Sequence, residues 1–318
     1  MHIVVIMDPP ETVLEDQDTS FALMLEAQAR GHRVDHCQQR ALYLEHGRLH
    51  ARVRRAQMER GRSRPIMLGE LEDVCLHDAD AVLVRTDPPF DSDYLWTTLL
   101  LDRVKADTLV LNDPHGLRQA NEKLYALYFP ELMPETLVGA DKAQIRAFVE
   151  RVGGRAVLKP LDGAGGEGVM ALTTGDMNLN AIIEATTRNG RRLAMAQEFL
   201  PAVRIGDKRI LLLDGQPLGA ILRVPKQDDM RSNIHVGGSV VQAALDADDR
   251  RIIATLAPRL RQDGLHFVGL DVIGGKLTEV NVTSPTGIQQ MTRLDGRNYS
   301  EQVIAWIEAR VAGGAARA

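Results

Sequence analysis

The sequence predicts an α/β chain, with a parallel sheet and covering helices over roughly the first hundred residues and then a strand-rich half. Three observations predict it. Apolar runs at residues 3–7, 81–85 and 108–111 read as short buried strands, helical periodicity falls between them, and past Arg118 strand runs follow one another between tight glycine turns. A chain of 318 residues has length for about two domains. Hydrophobic residues at 44% and charged residues at 25% exclude disordered and collagen-like classes. The net charge of −5 lacks the basic excess that nucleic acid requires, so an anionic ligand needs a local basic site.

The opening run is too short for a signal sequence, and no segment approaches the ~18 uninterrupted apolar residues of a membrane span. Cys37 and Cys75 form no C-x-x-C pair, so neither a disulfide framework nor a zinc knuckle is indicated. A reducing cytoplasm is the expected compartment, with no membrane partner.

Taking the elements in order, residues 3–7 form a buried strand. Asp18-Thr19-Ser20 caps a helix in which Phe21, Met24, Leu25 and Gln28 recur at i, i+3, i+4 and i+7 until Gly31 stops it. The Arg-rich stretch 48–64 reads as an exposed excursion. A strand at 81–85, a helix capped near Ser92 and running towards Val104, and a strand at 108–111 complete the first half. Beyond it, a short helix carrying Lys123 and a helix over 141–152 precede strands at 156–159, 168–173, 193–200, 209–213, 219–224, 267–273 and 277–282. The polar segment 226–239 reads as a long loop. A last amphipathic helix carries Val303, Ile304, Ile307 and Val311.

Three constellations carry possible chemistry. Residues 163–168 match G-x-G-x-x-G, but a dinucleotide fingerprint needs a helix next, and Val169 to Leu172 reads as a strand. Gly163, Gly165 and Gly166 therefore cap a hairpin able to fold over phosphates, and Lys159 just before it needs an anionic partner. The second group is the hairpin around Gly274-Gly275-Lys276. A three-residue turn sets Asp271 opposite Glu279, whereas a two-residue Gly-Gly turn sets it opposite Thr278 on the other face. In the first register Asp271, Glu279 and Asn281 form an all-oxygen cluster suited to Mg²⁺. The third is Arg209 and Arg223 on successive strands, able to grip a carboxylate or phosphate and to stabilise an oxyanion. Nine histidines include no H-E-x-x-H, and no nucleophile elbow is present.

The order of Lys123, Lys159, the glycine loop, Gln197-Glu198-Phe199-Leu200, Asp207-Lys208-Arg209 and the Asp271/Glu279/Asn281 hairpin resembles ATP-grasp ligases. Within them, the chain is similar from end to end to the bacterial glutathione synthetase family, through stretches such as Asp87-Pro88-Pro89-Phe90-Asp91, Asn121-Glu122-Lys123-Leu124 and Glu279-Val280-Asn281-Val282-Thr283-Ser284-Pro285. The resemblance implies an ATP-grasp fold with an N-terminal Rossmann-like parallel-sheet domain (1–118), a lid subdomain (119–195) and a C-terminal catalytic subdomain (196–318) with a mobile loop at 226–239.

It implies further that ATP is held by Lys123, Lys159, Gly163, Gly165, Gly166, Gln197, Glu198, Phe199, Leu200, Asp207 and Asn233. Glu198 to Leu200 would form the adenine hinge, and Asp207 would hold the ribose. Asp271, Glu279 and Asn281 would bind two Mg²⁺ ions, or Mn²⁺. Lys159, Arg209 and Arg223 would be catalytic, and the two arginines with Ser284, Pro285 and Thr286 would bind substrate. The family reaction phosphorylates the cysteinyl carboxylate of γ-glutamylcysteine, and glycine then displaces phosphate; members are usually homotetramers. The pattern departs at Gln17 and Thr86, where the family usually has lysines. The alternative is a related carboxylate–amine ligase acting on another amino acid or peptide.

Overall fold

The computed structural model describes residues 1–225 and 239–314, which build three sheets in succession. The first contains β1 (His2–Ile6), β2 (Arg33–Cys37), β3 (Leu42–Glu45), β4 (Arg48–Met58), β5 (Ile66–Cys75), β6 (Ala81–Val84) and β7 (Leu109–Leu111), in the order β3-β4-β2-β1-β6-β7 with β5 paired to β4. β1 runs parallel to β2 and β6, and β6 parallel to β7. Central parallel strands are covered on both faces, which is why β1 and β6 read as continuous apolar runs. Helices α1 (Thr19–Ala29), α2 (Ser92–Leu101) and α3 (Pro114–Gln119) connect and cover them. Asp18 caps α1 by accepting the N–H of Phe21, and Gly31 leaves the helix at φ 82°.

The reading of 48–64 as an exposed excursion is corrected. β4 is an eleven-residue strand whose Leu49, Ala51, Val53, Ala56 and Met58 are buried, while Arg52, Arg54 and Arg55 face outwards. Its alternation was present in the sequence but submerged by arginine, which can solvate one face of a strand without disturbing the other.

The second sheet is antiparallel, β10-β9-β11-β8, from β8 (Thr136–Gly139), β9 (Arg155–Pro160), β10 (Met170–Thr173) and β11 (Ala194–Glu198). Helices α4 (Lys142–Arg151) and α5 (Leu179–Thr187) pack on it around Phe148, Leu158 and Ile183. The third, β14-β13-β12-β15-β16, comprises β12 (Asp207–Leu213), β13 (Gln216–Val224), β14 (Ser239–Gln242), β15 (Phe267–Ile273) and β16 (Lys276–Asn281). Helices α6 (Ala247–Gln262), α7 (Ile288–Asp295) and α8 (Tyr299–Ala312) complete the chain. α8 returns to the first sheet: Val303, Ile304 and Ile307 share a core with Ile3, Val5 and Leu83.

Lys123 lies in a turn ahead of a 3₁₀ helix, Tyr125–Tyr128, and not on the short helix expected for it. The expected loop at 226–239 falls, up to residue 238, outside the described residues. Among the described residues no helix is long and apolar enough to cross a membrane, and Cys37 and Cys75 are free thiols.

Candidate active site

The β15–β16 hairpin combines features of both registers that the sequence left open. Its turn is the two-residue one, with Ile273 opposite Lys276 and Val272 opposite Leu277, yet Asp271 pairs with Glu279. The difference is a β-bulge: Thr278 is the extra residue, its hydroxyl donating to the carbonyl of Asp271 (3.1 Å). Gly274 and Gly275 occupy the turn at φ 56° and 76°, the left-handed pair that a twist-matched two-residue hairpin requires. The bulge thus puts Asp271, Glu279 and Asn281 on neighbouring positions of one strand pair.

Arg209 on β12 lies opposite Asp271 on β15, and Arg223 on β13 lies opposite Asp207 on β12. Arg209 grips Asp271 with Nε (2.6 Å) and Nη2 (3.1 Å), and Arg223 Nη2 reaches both Asp207 (2.5 Å) and Asp271 (2.9 Å). All four side chains are buried. Burial alone would raise the Asp271 pKa, but the two guanidiniums overcome it and hold the carboxyl well below the usual range. Burial would lower the Arg223 pKa, and Asp207 and Asp271 instead push it up. Asp207, expected at a ribose, lies in this charge lattice. Lys208 points to the opposite face, bound to Asp246 (2.9 Å) and Asp249 at the start of α6.

Lys159 and the glycine loop arrive from the second sheet. Lys159, at the end of β9, is half-buried and donates to Gln197 Oε1 (2.7 Å) on β11. Desolvation lowers its pKa, with Lys123 adding to the effect against Glu279, Asp207 and Asp271. Lys123 is buried, bonded to the Gly163 carbonyl (2.5 Å) and paired with Glu279 (3.1 Å), so it joins the glycine loop to the acidic hairpin. The loop connects antiparallel β9 and β10, as expected, and a Cβ at Gly163 would fall 2.8 Å from the Glu167 carbonyl. At the hinge, the N–H groups of Glu198 and Phe199 are taken by the carbonyls of Glu135 (2.9 Å) and Arg155 (3.2 Å). Among the described residues the Leu200 N–H has no such partner. Asn233 lies outside the described residues.

Lys123, Lys159, Arg209 and Arg223 therefore face Asp207, Asp271 and Glu279, which leaves the floor cationic and suited to phosphate. Among the described residues no three His, Cys, Asp or Glu side chains group closely enough to hold a metal ion by themselves. Asn281 Nδ2 donates to Asp271 Oδ2 (3.3 Å), which leaves its amide oxygen free of that contact, and Glu279 is paired with Asp271 across the hairpin, so the group contains two carboxylates and one amide. That hard, incomplete set fits Mg²⁺, which takes few carboxylates and completes its shell with phosphate oxygens and water.

The loop after Asn281 is anchored by residues that sequence reasoning missed. Glu122 Oε1 accepts the N–H of Val282 (3.3 Å) and the hydroxyl of Thr283 (2.8 Å); its pKa is raised by burial and then by Glu279. Arg85 donates Nη2 to the Pro285 carbonyl (3.0 Å), its own carbonyl accepts the Ser284 hydroxyl (3.3 Å), and Arg209 Nη1 reaches the Thr286 carbonyl (3.2 Å). Asn112 donates to the carbonyls of Phe267 and Val282, both at 2.8 Å. Arg85 is buried and burial lowers its pKa; among the described residues it has no ion pair and its Nη1 has no partner. The available signal was Arg85 itself, a cation ending an apolar run; Asn112 and Glu122 gave none.

Residues 1–118 match the family profile described as prokaryotic glutathione synthetase, N-terminal domain, and residues 122–296 that described as prokaryotic glutathione synthetase, ATP-grasp domain. The chain is 48% identical over 313 residues to a curated glutathione synthetase of Gloeobacter violaceus, covering 96% of each, and 44% identical over 310 residues to that of Brucella melitensis, covering 98% of this chain and 99% of that one. Among solved structures, D-cycloserine synthetase DcsG superposes with a TM-score of 0.64 at 18% identity, covering 97% of this chain and 99% of that one. D-alanyl-alanine synthetase A of Vibrio cholerae gives 0.61 at 14%, covering 98% of each. These two likenesses show the ATP-grasp fold alone. Two domain profiles that together span most of the chain, with full-length relatives at these identities, make it an ATP-dependent C–N ligase belonging to the prokaryotic glutathione synthetase family.

Proposed function

We propose that the chain joins γ-glutamylcysteine to glycine through an acyl phosphate, releasing glutathione, ADP and phosphate. The observation that carries the reading is the convergence of Arg209, Arg223, Lys123 and Lys159 on one carboxylate-bearing hairpin beside an anchored Ser284–Thr286 loop. Carboxylate and phosphate repel each other, so transfer between them needs cations on both and in-line placement more than it needs a base. Lys159 and Lys123, under the glycine loop, hold the phosphates, and the Leu200 N–H meets the base. Mg²⁺ on Asp271, Glu279 and Asn281, two ions by family resemblance, would neutralise phosphate charge.

Arg209 and Arg223 orient the cysteinyl carboxylate. Its oxygen attacks the γ-phosphorus, and ADP takes the electrons of the broken bond. The glycine amine then attacks the acyl carbon, loses its proton, and phosphate leaves with the C–O bond pair. The same arginines lie where the tetrahedral oxyanion forms. Arg85, with an unfilled donor beside Pro285, is placed for a substrate carboxylate. The resemblance also supports a homotetramer and a cytoplasmic setting.

The test is ADP release with Mg-ATP, γ-glutamylcysteine and glycine, repeated with each substrate omitted and with product identified by mass. Release that needs both substrates and yields glutathione bears the reading out. Bound ATP without turnover on this pair moves the reaction to another acid or amine.

A further inference from the structure

A polar cavity of about 110 Å³ opens at the C-terminal ends of β1 and β6, lined by Asp8, Gln38, Gln39, Arg40, Thr86 and Asp93 among others. None of these residues was drawn into the site above. The sheet order β2-β1-β6 makes this the place where the chain leaves β1 towards one side and returns on the other, the crevice in which open α/β sheets bind ligands.

Two buried polar atoms lack partners there. Thr86 is 8% exposed, and its hydroxyl bonds to nothing among the described residues; the Gln39 Nε2 is buried and equally unmet. Buried polar groups are rarely left unpaired, and two that line one cavity point to a polar occupant. The volume exceeds the ~10–15 Å³ needed for one water. Its chemistry is two-signed: carboxylates at Asp8 and Asp93, and donors at Arg40, Gln39 and Thr86. Among the described residues Asp8 spends only Oδ2, on the Asp87 N–H (2.9 Å).

We propose that this cavity is a subsite for an α-amino-acid head group, its ammonium between Asp8 and Asp93 and its carboxylate on Arg40, the Gln39 amide and the Thr86 hydroxyl. Such a head group has two sources. One is the glutamyl end of γ-glutamylcysteine, an assignment that rests on the function proposed above and for which the adjacency of Thr86 to Arg85 provides the link. The other is a free amino acid.

The experiment uses Thr86→Val, which replaces by a methyl a hydroxyl that has no partner among the described residues and so should fold as the parent does, and Asp93→Asn on the exposed start of α2. KM is measured for γ-glutamylcysteine and for its N-acetyl derivative, which lacks the ammonium. Calorimetry with L-glutamate as probe is run alongside.

If the substrate's head group is the occupant, acetylation and either substitution each raise KM about tenfold, acetylation with Asp93→Asn costs little more than one of them, acetylation with Thr86→Val costs more than either, and KM for ATP stays constant. If a free amino acid is the occupant, KM is unchanged but saturable L-glutamate binding is lost in both variants. Unchanged KM together with no L-glutamate binding, or binding that survives both substitutions, overturns the proposal. Absence of any turnover on γ-glutamylcysteine and glycine counts against the function reading alone, because the calorimetry still decides the cavity.

Discussion

Lys159 and Asp271 show how differently two charges at one site relate to the fold. Among the described residues Lys159 has one side-chain hydrogen bond, to Gln197, and burial lowers its pKa, so the fold bears its charge at a cost. Lys159→Met should therefore unfold at the same denaturant concentration as the parent or a higher one, while KM for ATP rises tenfold or more, about 1.4 kcal/mol of lost binding. Chemical denaturation beside ATP kinetics checks both halves, and a stability loss with unchanged KM would remove Lys159 from the phosphate site. Asp271 is the reverse case, a carboxylate that two buried guanidiniums require. Asp271→Asn should cost about 3–5 kcal/mol by taking the counter-charge from Arg209 and leaving Arg223 with Asp207 alone. A depressed carboxyl pKa contributes stability fully above its unfolded value of 3.8 and loses it as pH falls towards the folded value. The gap between parent and variant, read from urea midpoints, should be flat from pH 5 to 7 and narrow below 3.8.

Elements were legible wherever one pattern dominated. β1, β6, β9, β12, β13 and β15 were read as apolar runs, α1 from its Asp18 cap and α8 from its spacing, because a buried face leaves a period that composition cannot hide. β4 was hidden by arginines on its outer face, and α6 by Pro258 within it, although the Asp246/Asp249 capping box marks its start. The β15–β16 hairpin was half-legible: its sequence offered two turns, and neither foretold that a bulge at Thr278 would reconcile the shorter turn with the Asp271–Glu279 pairing. That pairing therefore depends on the turn staying short. A Cβ at Gly274 would sit 2.8 Å from that of Ala202, at a φ of 56° that branched residues resist. Gly274→Val should cost about 1–3 kcal/mol. It should also raise the Mg²⁺ concentration that gives half-maximal rate, with KM for ATP measured at saturating Mg²⁺ nearly unchanged. An unaltered Mg²⁺ requirement would separate the turn from the proposed metal ligands.

At the scale of the molecule, the hairpin and the loop after it are tied to the first half of the chain by contacts between residues more than a hundred positions apart, and these were not legible at all. Local pattern reports which face of an element is buried, not what covers it. Asn112 is the clearest instance. From the end of β7 its amide accepts the N–H groups of His266 and Phe267 and donates to the carbonyls of Phe267 and Val282, all at 2.8 Å, so one side chain binds the start of β15 to the end of β16. Those strands carry Asp271, Glu279 and Asn281, and Val282 opens the loop that Glu122 and Arg85 also hold. Asn112→Ala would leave backbone groups of the third sheet without partners, and each unmet group costs about 1–3 kcal/mol. The loss should be local before it is global. Amide hydrogen exchange should quicken across residues 266–283, while exchange in β8 to β11, which Asn112 does not touch, keeps its parent rate. A uniform acceleration through all three sheets would mean that Asn112 supports overall stability without specially fixing the hairpin, and no acceleration would show its four hydrogen bonds to be redundant.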